Sequence, residues 1–325
     1  MKFQYVTGFA GFDNISFLEG RDMLIKIKKA FKNPRLIILY VLGFGIFRGM
    51  PDGLFLKTKY RLKMRQPLDL EDPQTFNEKL QWLKLYNRRP EYTQMVDKYE
   101  VRKYIAKIIG EEYLIPLLGV YNSYDEIDLI SLPNEFVLKP NHTSGNVYIC
   151  KDKSQIDYLA LEKEINQWLG REYYWVHREW PYKNIKPRII CEKYMVDESG
   201  TELKDYKFMC FNGEPKIIQV MSERRDGHYL INHFDLEWNE IDIPRKTIKT
   251  NPNVPTKPKN LGRMIEISKI LSKNIPFVRI DLYETEAGIY FGEITFFPAS
   301  GFMDFADSQT DYLLGSWIDL PPKEI

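Results

Sequence analysis

The sequence predicts an α+β protein built on antiparallel sheets, and three observations support this fold class. Residues 277–297 alternate between apolar and polar side chains on either side of a turn signal at 286–288, which is typical of a β-hairpin. Two further short strands flank Asn212-Gly213, a dipeptide that favours hairpin turns. Helical segments precede and separate the strands, so we expect helices and antiparallel sheets to share the fold.

The composition is that of a globular protein without an overall charge preference. A chain of 325 residues can bury a substantial core and has room for two lobes. Lysine plus arginine number 46 and aspartate plus glutamate 45, so no overall field argues for nucleic acid as a partner. Cys150, Cys191 and Cys210 are odd in number and lie among apolar residues, which predicts reduced buried thiols and a cytoplasmic protein.

Residues 1–70 form a basic and apolar amino-terminal region. The apolar run at 36–47 is shorter than the about 20 residues that cross a bilayer, so it predicts neither a span nor a signal peptide. Flanking lysines and arginines would hold such a run at a membrane surface, and packing on the protein's own core explains it equally well. The five cations of residues 57–65 favour the membrane surface.

From residue 71 the chain has the pattern of a globular protein. Thr75 and Glu78 form a capping box that predicts the start of a helix, and a second helix is expected over 93–110, with Gly110 as its C-cap. Residues 71–191 are expected to form a helical lead-in and a small lobe, and 192–325 a large lobe. Short strands are expected at 136–139, 147–150, 188–195, 205–211 and 216–221, followed by a helix at 261–271.

The hairpin at 277–297 carries one carboxylate at the centre of each strand. The register that gathers the apolar side chains on one face pairs Val278 with Phe296, Ile280 with Ile294, Asp281 with Glu293 and Arg279 with Thr295. Directly opposed Cβ atoms are about 4.5 to 5.5 Å apart, so Asp281 and Glu293 repel each other unless a positive charge lies between them.

Two interpretations of this polar face have similar weight on spacing alone. It is either the solvated side of an ordinary antiparallel pair, partly neutralised by Arg279, or the site of a divalent cation. Tyr283, Phe291 and Phe297 are expected on the same face, which favours a lined cleft. Oxygen ligands suit Mg²⁺, which completes its shell with water and substrate phosphates, so the hairpin indicates a nucleotide site.

Four other features contain residue types that bind nucleotides, although each alone is common on protein surfaces. Backbone amides of a glycine-containing turn cradle phosphates, but the loop in this chain lacks P-loop spacing. His142 in that loop is either a base or a hydrogen-bonding residue. The features are the loop after Lys139 with Ser144-Gly145, the strand exit Glu192-Lys193-Tyr194-Met195 followed by Asp197 and Glu198, Lys207 in DYKFMCF, and Lys98 in MVDKYEVRKYI.

Over roughly residues 95–305 the chain resembles the ATP-grasp superfamily in the order of its ATP-site elements. The motifs that carry this resemblance are, in chain order, VDKYEVRKYI, FVLKPNHTSG, EKYM, DYKF, RID and GEIT. Longer motifs resemble the TupA-like branch of this superfamily, which is named for teichuronopeptide biosynthesis and associated with bacterial surface polysaccharides. These motifs are FNEKLQWLKLY, EEYLIPLLGVY, WPYKNIKPRII, DYKFMCFNGEPK and ITFFPASGF. The resemblance implies an ATP-grasp fold, in which two α+β lobes with antiparallel sheets clasp ATP between them.

The resemblance also implies a role for each position. The loop 140–146 closes over the phosphates, residues 192–195 contact adenine, and Glu198 or Asp197 binds the ribose. Lys207 and Arg279 are the expected catalytic residues, the second facing the transferred phosphoryl group. The family commonly has Asn where this chain has Thr295, which leaves binding of a second metal ion open. The implied ATP contacts are Lys98, Lys139, His142, Ser144, Gly145, Glu192, Lys193, Tyr194, Met195, Glu198 and Lys207, and the implied contacts to one or two Mg²⁺ ions are Asp281, Glu293 and Thr295.

The implied activity is that of an ATP-dependent carboxylate-amine ligase that forms an amide through an acyl phosphate. In this branch the carboxylate belongs to a uronic acid of a capsule, O-antigen or related polysaccharide, free or lipid-linked, and the amine to an amino acid or peptide. The protein is expected in the cytoplasm, either free or at the inner face of the cytoplasmic membrane. A glycosyltransferase, a sugar kinase with the same ATP site and a catalytically silent scaffold stay open as alternatives. Residues 173–182 are expected to contribute to specificity, and their aromatic side chains either stack on sugar faces or fill the core.

Overall fold

The computed structural model describes residues 34–42, 47–200, 203–225 and 228–323. Part of the predicted amino-terminal region, residues 1–33 and 43–46, therefore lies outside the described residues. The helix Pro34–Leu42 has Leu42 buried in the main core and Ile38 48% exposed. None of the described helices is both long and apolar enough to cross a membrane.

The described helices are mostly short. The helix Phe76–Tyr86 begins with the predicted capping box, in which Thr75 Oγ1 accepts from the Glu78 N–H (3.2 Å) and the Glu78 carboxylate accepts from the Thr75 N–H (3.1 Å). This local signal therefore sets the start of the helix. The helices are Pro34–Leu42, Asp52–Met64, Phe76–Tyr86, Glu91–Val96, Val101–Ile108, Tyr158–Leu169, Tyr174–His177, Leu261–Ser272 and Ser308–Ser316.

The described strands form two antiparallel sheets. In chain order they are β1 (Leu117–Tyr121), β2 (Phe136–Pro140), β3 (Tyr148–Cys150), β4 (Ile189–Lys193), β5 (Asp205–Phe211), β6 (Glu214–Arg225), β7 (His228–Phe234), β8 (Glu240–Ile241), β9 (Phe277–Thr285) and β10 (Gly288–Thr295). The small sheet has the order β1-β4-β2-β3 and the large sheet the order β10-β9-β5-β6-β7-β8. Asn212 and Gly213 form the β5–β6 turn, both with positive φ (51° and 86°), as the dipeptide predicts.

Each sheet has its own hydrophobic core. The small sheet packs around Phe136 with the helix Tyr158–Leu169. In the larger core the Phe76 ring of the lead-in helix lies edge-on to Phe277 of β9, with 4.8 Å between the ring centroids. The lead-in helix therefore packs with the large sheet. The division of the chain between residues 191 and 192, which falls inside β4, stays a prediction.

The single helix predicted over residues 93–110 is wrong, because two helices are separated there by a turn at 97–100. The Asp97 carboxylate accepts hydrogen bonds from the backbone N–H groups two and three residues ahead (2.8 and 3.2 Å), which competes with the helical pattern. Lys98 therefore lies in a turn and not on a helix. Gly110 follows the second helix with φ of 121°, in keeping with its predicted place at the C-terminus.

Two of the five cations of residues 57–65 face the protein itself. Lys59 is 3% exposed, and its Nζ donates to the Val176 carbonyl (2.6 Å). Lys63 Nζ lies 5.0 Å from the centre of the Phe302 ring. These two charges stabilise contacts within the protein. Fewer of the five cations are therefore left to bind a membrane surface than the sequence suggests.

Candidate active site

A row of charged residues crosses three adjacent strands of the large sheet. Lys207 of β5 lies opposite Asp281 of β9, and Asp281 lies opposite Glu293 of β10. The predicted pairing of Asp281 with Glu293 is confirmed, as are the pairs Ile280 with Ile294 and Arg279 with Thr295. The β9–β10 ladder ends at Arg279 and Thr295, so the predicted pairing of Val278 with Phe296 lies outside it.

This polar face is buried, and its interpretation as a solvated surface is wrong. Asp281 is 1% exposed, Lys207 4% and Arg279 8%. Arg279 holds Asp281 through two parallel bonds, Nε to Oδ1 (2.6 Å) and Nη2 to Oδ2 (2.7 Å), and Nη2 also donates to Glu293 Oε1 (2.9 Å). Lys207 Nζ forms a further ion pair with Asp281. The repulsion between the two acids is therefore offset by two cations.

Burial and neighbouring charges act in opposite directions on these acids. Burial raises the pKa of Asp281 to about 6, although Arg279 and Lys207 favour its charged form. Burial also acts to raise the pKa of Glu293, but Lys98, Arg279 and Lys207 outweigh it, so the pKa of Glu293 is lowered. Both groups are therefore ionised at pH 7.

Asp205 is a third acid at this site, which the sequence analysis missed. It lies two residues before Lys207 on β5 and therefore on the same face of the strand, with Oδ2 2.5 Å from Lys207 Nζ. Its side chain is buried, and its charge adds to the raised pKa of Asp281. The spacing of two residues in DYK was the available signal, because such residues share a face of a strand.

A β-bulge at Gly292 changes which aromatic residues share the face of the acids. The adjacent residues Asp281 and Leu282 pair with Glu293 and Phe291, so Gly292 is an additional residue on β10. Phe291 therefore points to the opposite face, and its predicted place beside the acids is wrong. The glycine inside the strand pattern was the only signal of this bulge. Of the three aromatic residues, Phe291 and Phe297 are buried in the main core and Tyr283 is half-buried.

Lys98 connects the loop after β2 with the acids of the large sheet. From the turn at 97–100 its Nζ donates to the Thr143 carbonyl (2.6 Å) and lies 3.9 Å from Glu293 Oε2. Burial lowers the pKa of Lys98, although the charge of Glu293 opposes this effect. One side chain therefore touches both sides of the predicted nucleotide cleft.

The loop 140–146 is anchored at its first residues. Asn141 Nδ2 donates to Asp97 Oδ1 (2.9 Å), which ties the loop to the turn that carries Lys98. His142 is 3% exposed, and burial together with the charge of Lys98 lowers its pKa to about 4, so it is neutral at pH 7. Gly145 has φ of 82°, which favours glycine, and Ser144 beside it is half-buried.

Lys139 and Glu192 form an ion pair on the small sheet, with 2.6 Å between Nζ and Oε2. They lie on the adjacent strands β2 and β4, and the charges of both act on the pKa of Lys98. Strand β4 ends at Lys193, which is exposed and is followed by the half-buried Tyr194 and Met195. The structure therefore groups Lys98, Lys139 and Glu192 near the loop.

The two acids predicted as ribose acceptors differ in exposure. Asp197 is 4% exposed and accepts hydrogen bonds from the N–H groups of Ser199 (2.8 Å) and Lys204 (3.0 Å), so it shapes the turn after β4. The Glu198 side chain is 46% exposed, and its carboxylate pairs with Lys204 Nζ (2.8 Å). Glu198 is therefore the acid whose carboxylate is open to a ligand.

Residues 78–319 match the family model of the TupA-like ATP-grasp proteins, which is well over half of the chain. The chain belongs to the TupA-like ATP-grasp family. Its two antiparallel sheets with their surrounding helices form the ATP-grasp fold, as the resemblance implied. No curated protein sequence matches the chain.

Solved ATP-grasp structures are similar to this TupA-like protein at low identity. D-alanine–D-alanine ligase from Bacillus anthracis is 17% identical, with 62% of this chain and 56% of that chain covered and a TM-score of 0.36. The Helicobacter pylori D-alanine–D-alanine ligase is 16% identical, with 76% and 70% covered and a TM-score of 0.39. A RimK domain ATP-grasp protein from Sphaerobacter thermophilus is 11% identical, with 71% and 68% covered and a TM-score of 0.37. The chain thus spans little more than half of the Bacillus anthracis ligase, and its assignment rests on the family match.

The donor atoms of this TupA-like site fit a hard divalent cation. Asp281, Glu293 and Thr295 supply only oxygen, the ligand type of Mg²⁺. Thr295 Oγ1 lies 3.3 Å from Glu293 Oε1 and 3.1 Å from Arg279 Nη2, so its hydroxyl belongs to the same cluster. In the part of the chain that the structure describes, no group of three or more His, Cys, Asp or Glu side chains is arranged for a metal. Two carboxylates completed by water and phosphate oxygens are the usual Mg²⁺ arrangement at a nucleotide.

Proposed function

We propose that this protein is an ATP-dependent ligase that joins a carboxylate to an amine through an acyl phosphate. The observation that carries the proposal is the meeting of three cations with two carboxylates on the large sheet, with Lys98 reaching it from the turn at 97–100. Lys98 spans from the Thr143 carbonyl to Glu293, while Arg279 and Lys207 hold Asp281. Cations and paired acids at one place suit a triphosphate with a divalent ion, where catalysis is mainly positioning and charge stabilisation.

The parts of the nucleotide are assigned to the residues around this cluster. The phosphates are bound by Lys98, Lys139 and the loop residues His142, Ser144 and Gly145. His142 is neutral and acts as a hydrogen-bonding group. Residues 192–195 bind adenine, and the exposed Glu198 binds the ribose. Asp281, Glu293 and Thr295 would hold one or two Mg²⁺ ions. When bound, Mg²⁺ neutralises charge on the phosphate oxygens.

The first chemical step is attack of a substrate carboxylate oxygen on the γ-phosphorus of ATP. The bond to the bridging oxygen breaks, and ADP leaves with the electron pair. Arg279 and Lys207 stabilise the charge on the transferred phosphoryl group, and both are held by Asp281 before substrate arrives. In the second step an amine attacks the acyl phosphate, the C–N bond forms and phosphate leaves. Exclusion of water by the loop 140–146 protects the acyl phosphate from hydrolysis.

The substrates proposed are a uronic acid of a bacterial capsule, O-antigen or related polysaccharide, and an amino acid or peptide. The TupA-like family name supports a surface-polysaccharide role. Because such precursors are often lipid-linked, we also propose contact with the inner face of the cytoplasmic membrane through the amino-terminal region. Sedimentation with anionic vesicles tests this contact, and equal sedimentation of the full chain and a chain lacking residues 1–50 would remove its support.

The direct test is to incubate the protein with Mg²⁺-ATP, hydroxylamine and a panel of uronic acids, including glucuronate and galacturonate. A ligase forms ADP and a hydroxamate, since hydroxylamine captures the acyl phosphate. A kinase instead yields ADP and a phosphorylated sugar without hydroxamate. Binding of ATP is followed separately by thermal unfolding, where ligand at 100 times its Kd adds about 2.7 kcal/mol. Stabilisation by nucleotide sugars and not by Mg²⁺-ATP would contradict the proposal and favour a glycosyltransferase.

A further inference from the structure

A left-handed turn follows the strand that carries Glu293 and Thr295. Ala299 (φ 50°, ψ 25°), Ser300 (φ 54°, ψ 31°) and Gly301 (φ 66°) adopt this conformation in succession. Residues with a Cβ atom adopt it at a cost, and such strain persists only where the surrounding structure holds it. Strained backbone of this kind concentrates at functional sites, so the groups that hold the turn are of interest.

Buried polar side chains hold this turn from two other parts of the chain. Gln81 Nε2 donates to the carbonyls of Ser300 (3.1 Å) and Gly301 (2.6 Å), and Lys84 Nζ donates to the Ser300 carbonyl (2.7 Å). Ser300 Oγ donates to Glu179 Oε1 (2.6 Å). Glu179 is 3% exposed and Lys84 is fully buried. The turn is therefore connected to a buried carboxylate through a serine hydroxyl.

Lys84 supplies the counter-charge of Glu179. Besides the Ser300 carbonyl, its Nζ donates to Gln81 Oε1 (3.0 Å) and the His177 carbonyl (3.1 Å), which uses the three donors of an ammonium group. Burial lowers the pKa of Lys84 to about 7, but the three acceptors and the charge of Glu179 favour the ammonium form. Ser300 therefore bridges the two side chains, with its carbonyl on Lys84 and its hydroxyl on Glu179.

This cluster lies beside the reaction centre. The charge of Glu293 acts on the pKa of Glu179, and the charges of Glu293 and Arg279 both act on Tyr182, three residues further along the chain. The turn itself begins four residues after Thr295. Ser300 is therefore linked to the acid cluster by five residues of chain and, through Glu179, by the charge of Glu293.

We propose that Ser300 and Glu179 take up the proton that the amine releases in the second half of the ligase reaction. The inference rests on the proposed function. An amine that enters as ammonium must lose one proton before its lone pair attacks the acyl phosphate, and a further proton leaves the nitrogen as the amide forms. Ser300 Oγ accepts the first of these protons from nitrogen and passes its own to Glu179, and the second proton leaves with the phosphate group. The C–N bond forms and the C–O bond to phosphate breaks, with the electron pair leaving on phosphate.

In this scheme Ser300 touches the amine, and Glu179 acts through Ser300. A base in this role needs a pKa nearer to neutrality than that of an exposed glutamate, and burial raises the pKa of Glu179. The positive charges of Lys84 and Lys59 limit this rise, so the carboxylate form stays accessible. The titratable groups whose charges interact with Glu179 are Lys59 of the helix Asp52–Met64, Lys84 of the helix Phe76–Tyr86, Tyr182 of its own segment and Glu293 of β10, and Lys63 acts on Lys84.

The test compares two amines in the uronate assay. Hydroxylamine is uncharged at neutral pH and needs no base before it attacks, whereas L-alanine enters as ammonium. In Glu179→Gln we expect hydroxamate formation close to that of the wild type and amide formation with L-alanine reduced by about 10²-fold or more. Raising the pH should narrow the difference in amide formation between the wild type and Glu179→Gln, because a larger share of L-alanine is then the free amine. Ser300→Ala, which keeps the Cβ atom in the turn, should give the same selective loss.

Glu284→Gln is the matched control. Glu284 is a similarly buried carboxylate on β9 (8% exposed) that accepts from the N–H groups of Lys259 and Asn260, and its substitution should leave the ratio of amide to hydroxamate unchanged. Equal losses of hydroxamate and amide in Glu179→Gln and Ser300→Ala, or full amide formation by both, would overturn the proposal and leave the cluster a structural clamp. A wild type that forms no hydroxamate contradicts the ligase function itself, and the proposal fails with it.

Discussion

Lys207 and Asp281 lie opposite each other on adjacent strands and form a buried ion pair. Arg279 binds the same carboxylate through two bonds, so Asp281 is the shared counter-charge of two cations. Removal of one partner from such a group leaves uncompensated charge in the protein interior, which is more costly than the loss of an exposed pair.

We therefore expect Asp281→Asn to lower the free energy of unfolding by about 3–5 kcal/mol, because two cations lose their counter-charge. Glu293→Gln should cost less, since the Glu293 side chain is 30% exposed. Urea unfolding at pH 7 measures both variants. Both should also lose the stabilisation by Mg²⁺-ATP. Equal free energies of unfolding for the wild type and Asp281→Asn would show that the ion pairs make no net contribution to stability.

Stability should fall as the pH falls from about 6.5, because two buried histidines resist protonation. Burial lowers the pKa of His142 to about 4, and that of His233, which also faces Arg245, to about 3. A group whose folded pKa lies below its unfolded value binds fewer protons when folded, so stability is lost between the two pKa values. Between pH 6.5 and 5 each histidine contributes a loss of about 1.6 kcal/mol. The raised pKa of Asp281 offsets part of this loss, because that carboxyl group binds a proton more readily in the folded protein. Urea unfolding across this range should give a shallower slope for His233→Gln, and an unchanged slope would contradict the assignment.

Thr295 stands at the position where the resemblance to the ATP-grasp superfamily implies Asn. Its hydroxyl accepts from Arg279 Nη2 (3.1 Å) and is a weaker metal ligand than an amide carbonyl. Thr295→Asn should lower the Mg²⁺ concentration needed for stabilisation by ATP, and Thr295→Val should raise it. Thermal unfolding with ATP and increasing Mg²⁺ measures both. If the two variants respond alike, Thr295 lies outside the metal site.

The bulge at Gly292 depends on the absence of a side chain. A Cβ atom there would lie 3.0 Å from the Asp281 carbonyl oxygen and 3.0 Å from the Tyr283 ring. We expect Gly292→Ala to destabilise the protein by about 1–3 kcal/mol through this overlap. Gly262→Ala is the control, because nothing lies within 4 Å of the Cβ position of Gly262 in the helix Leu261–Ser272. This substitution should stabilise the protein by up to about 1 kcal/mol. Urea unfolding separates the two.

Local patterns predicted much of the fold and part of the site. Alternation in residues 277–297 gave the pairing of Asp281 with Glu293, and Asn212-Gly213 gave a hairpin turn. Strands β1, β7 and β8 were missed. Strand β8 has only two residues, and β1 contains Gly119 and a register shift, so neither has a regular pattern for sequence reading to detect.

The sequence by itself determined which residues alternate, which glycines and asparagines turn the chain, and which charged positions share a strand face, because these depend on neighbours within a few residues. Tertiary structure alone decided that Lys98 reaches Glu293 and that Ser300 meets Glu179 and Lys84. Such contacts join segments more than a hundred residues apart, and their geometry is set by the packing of whole sheets and helices, which no local pattern encodes.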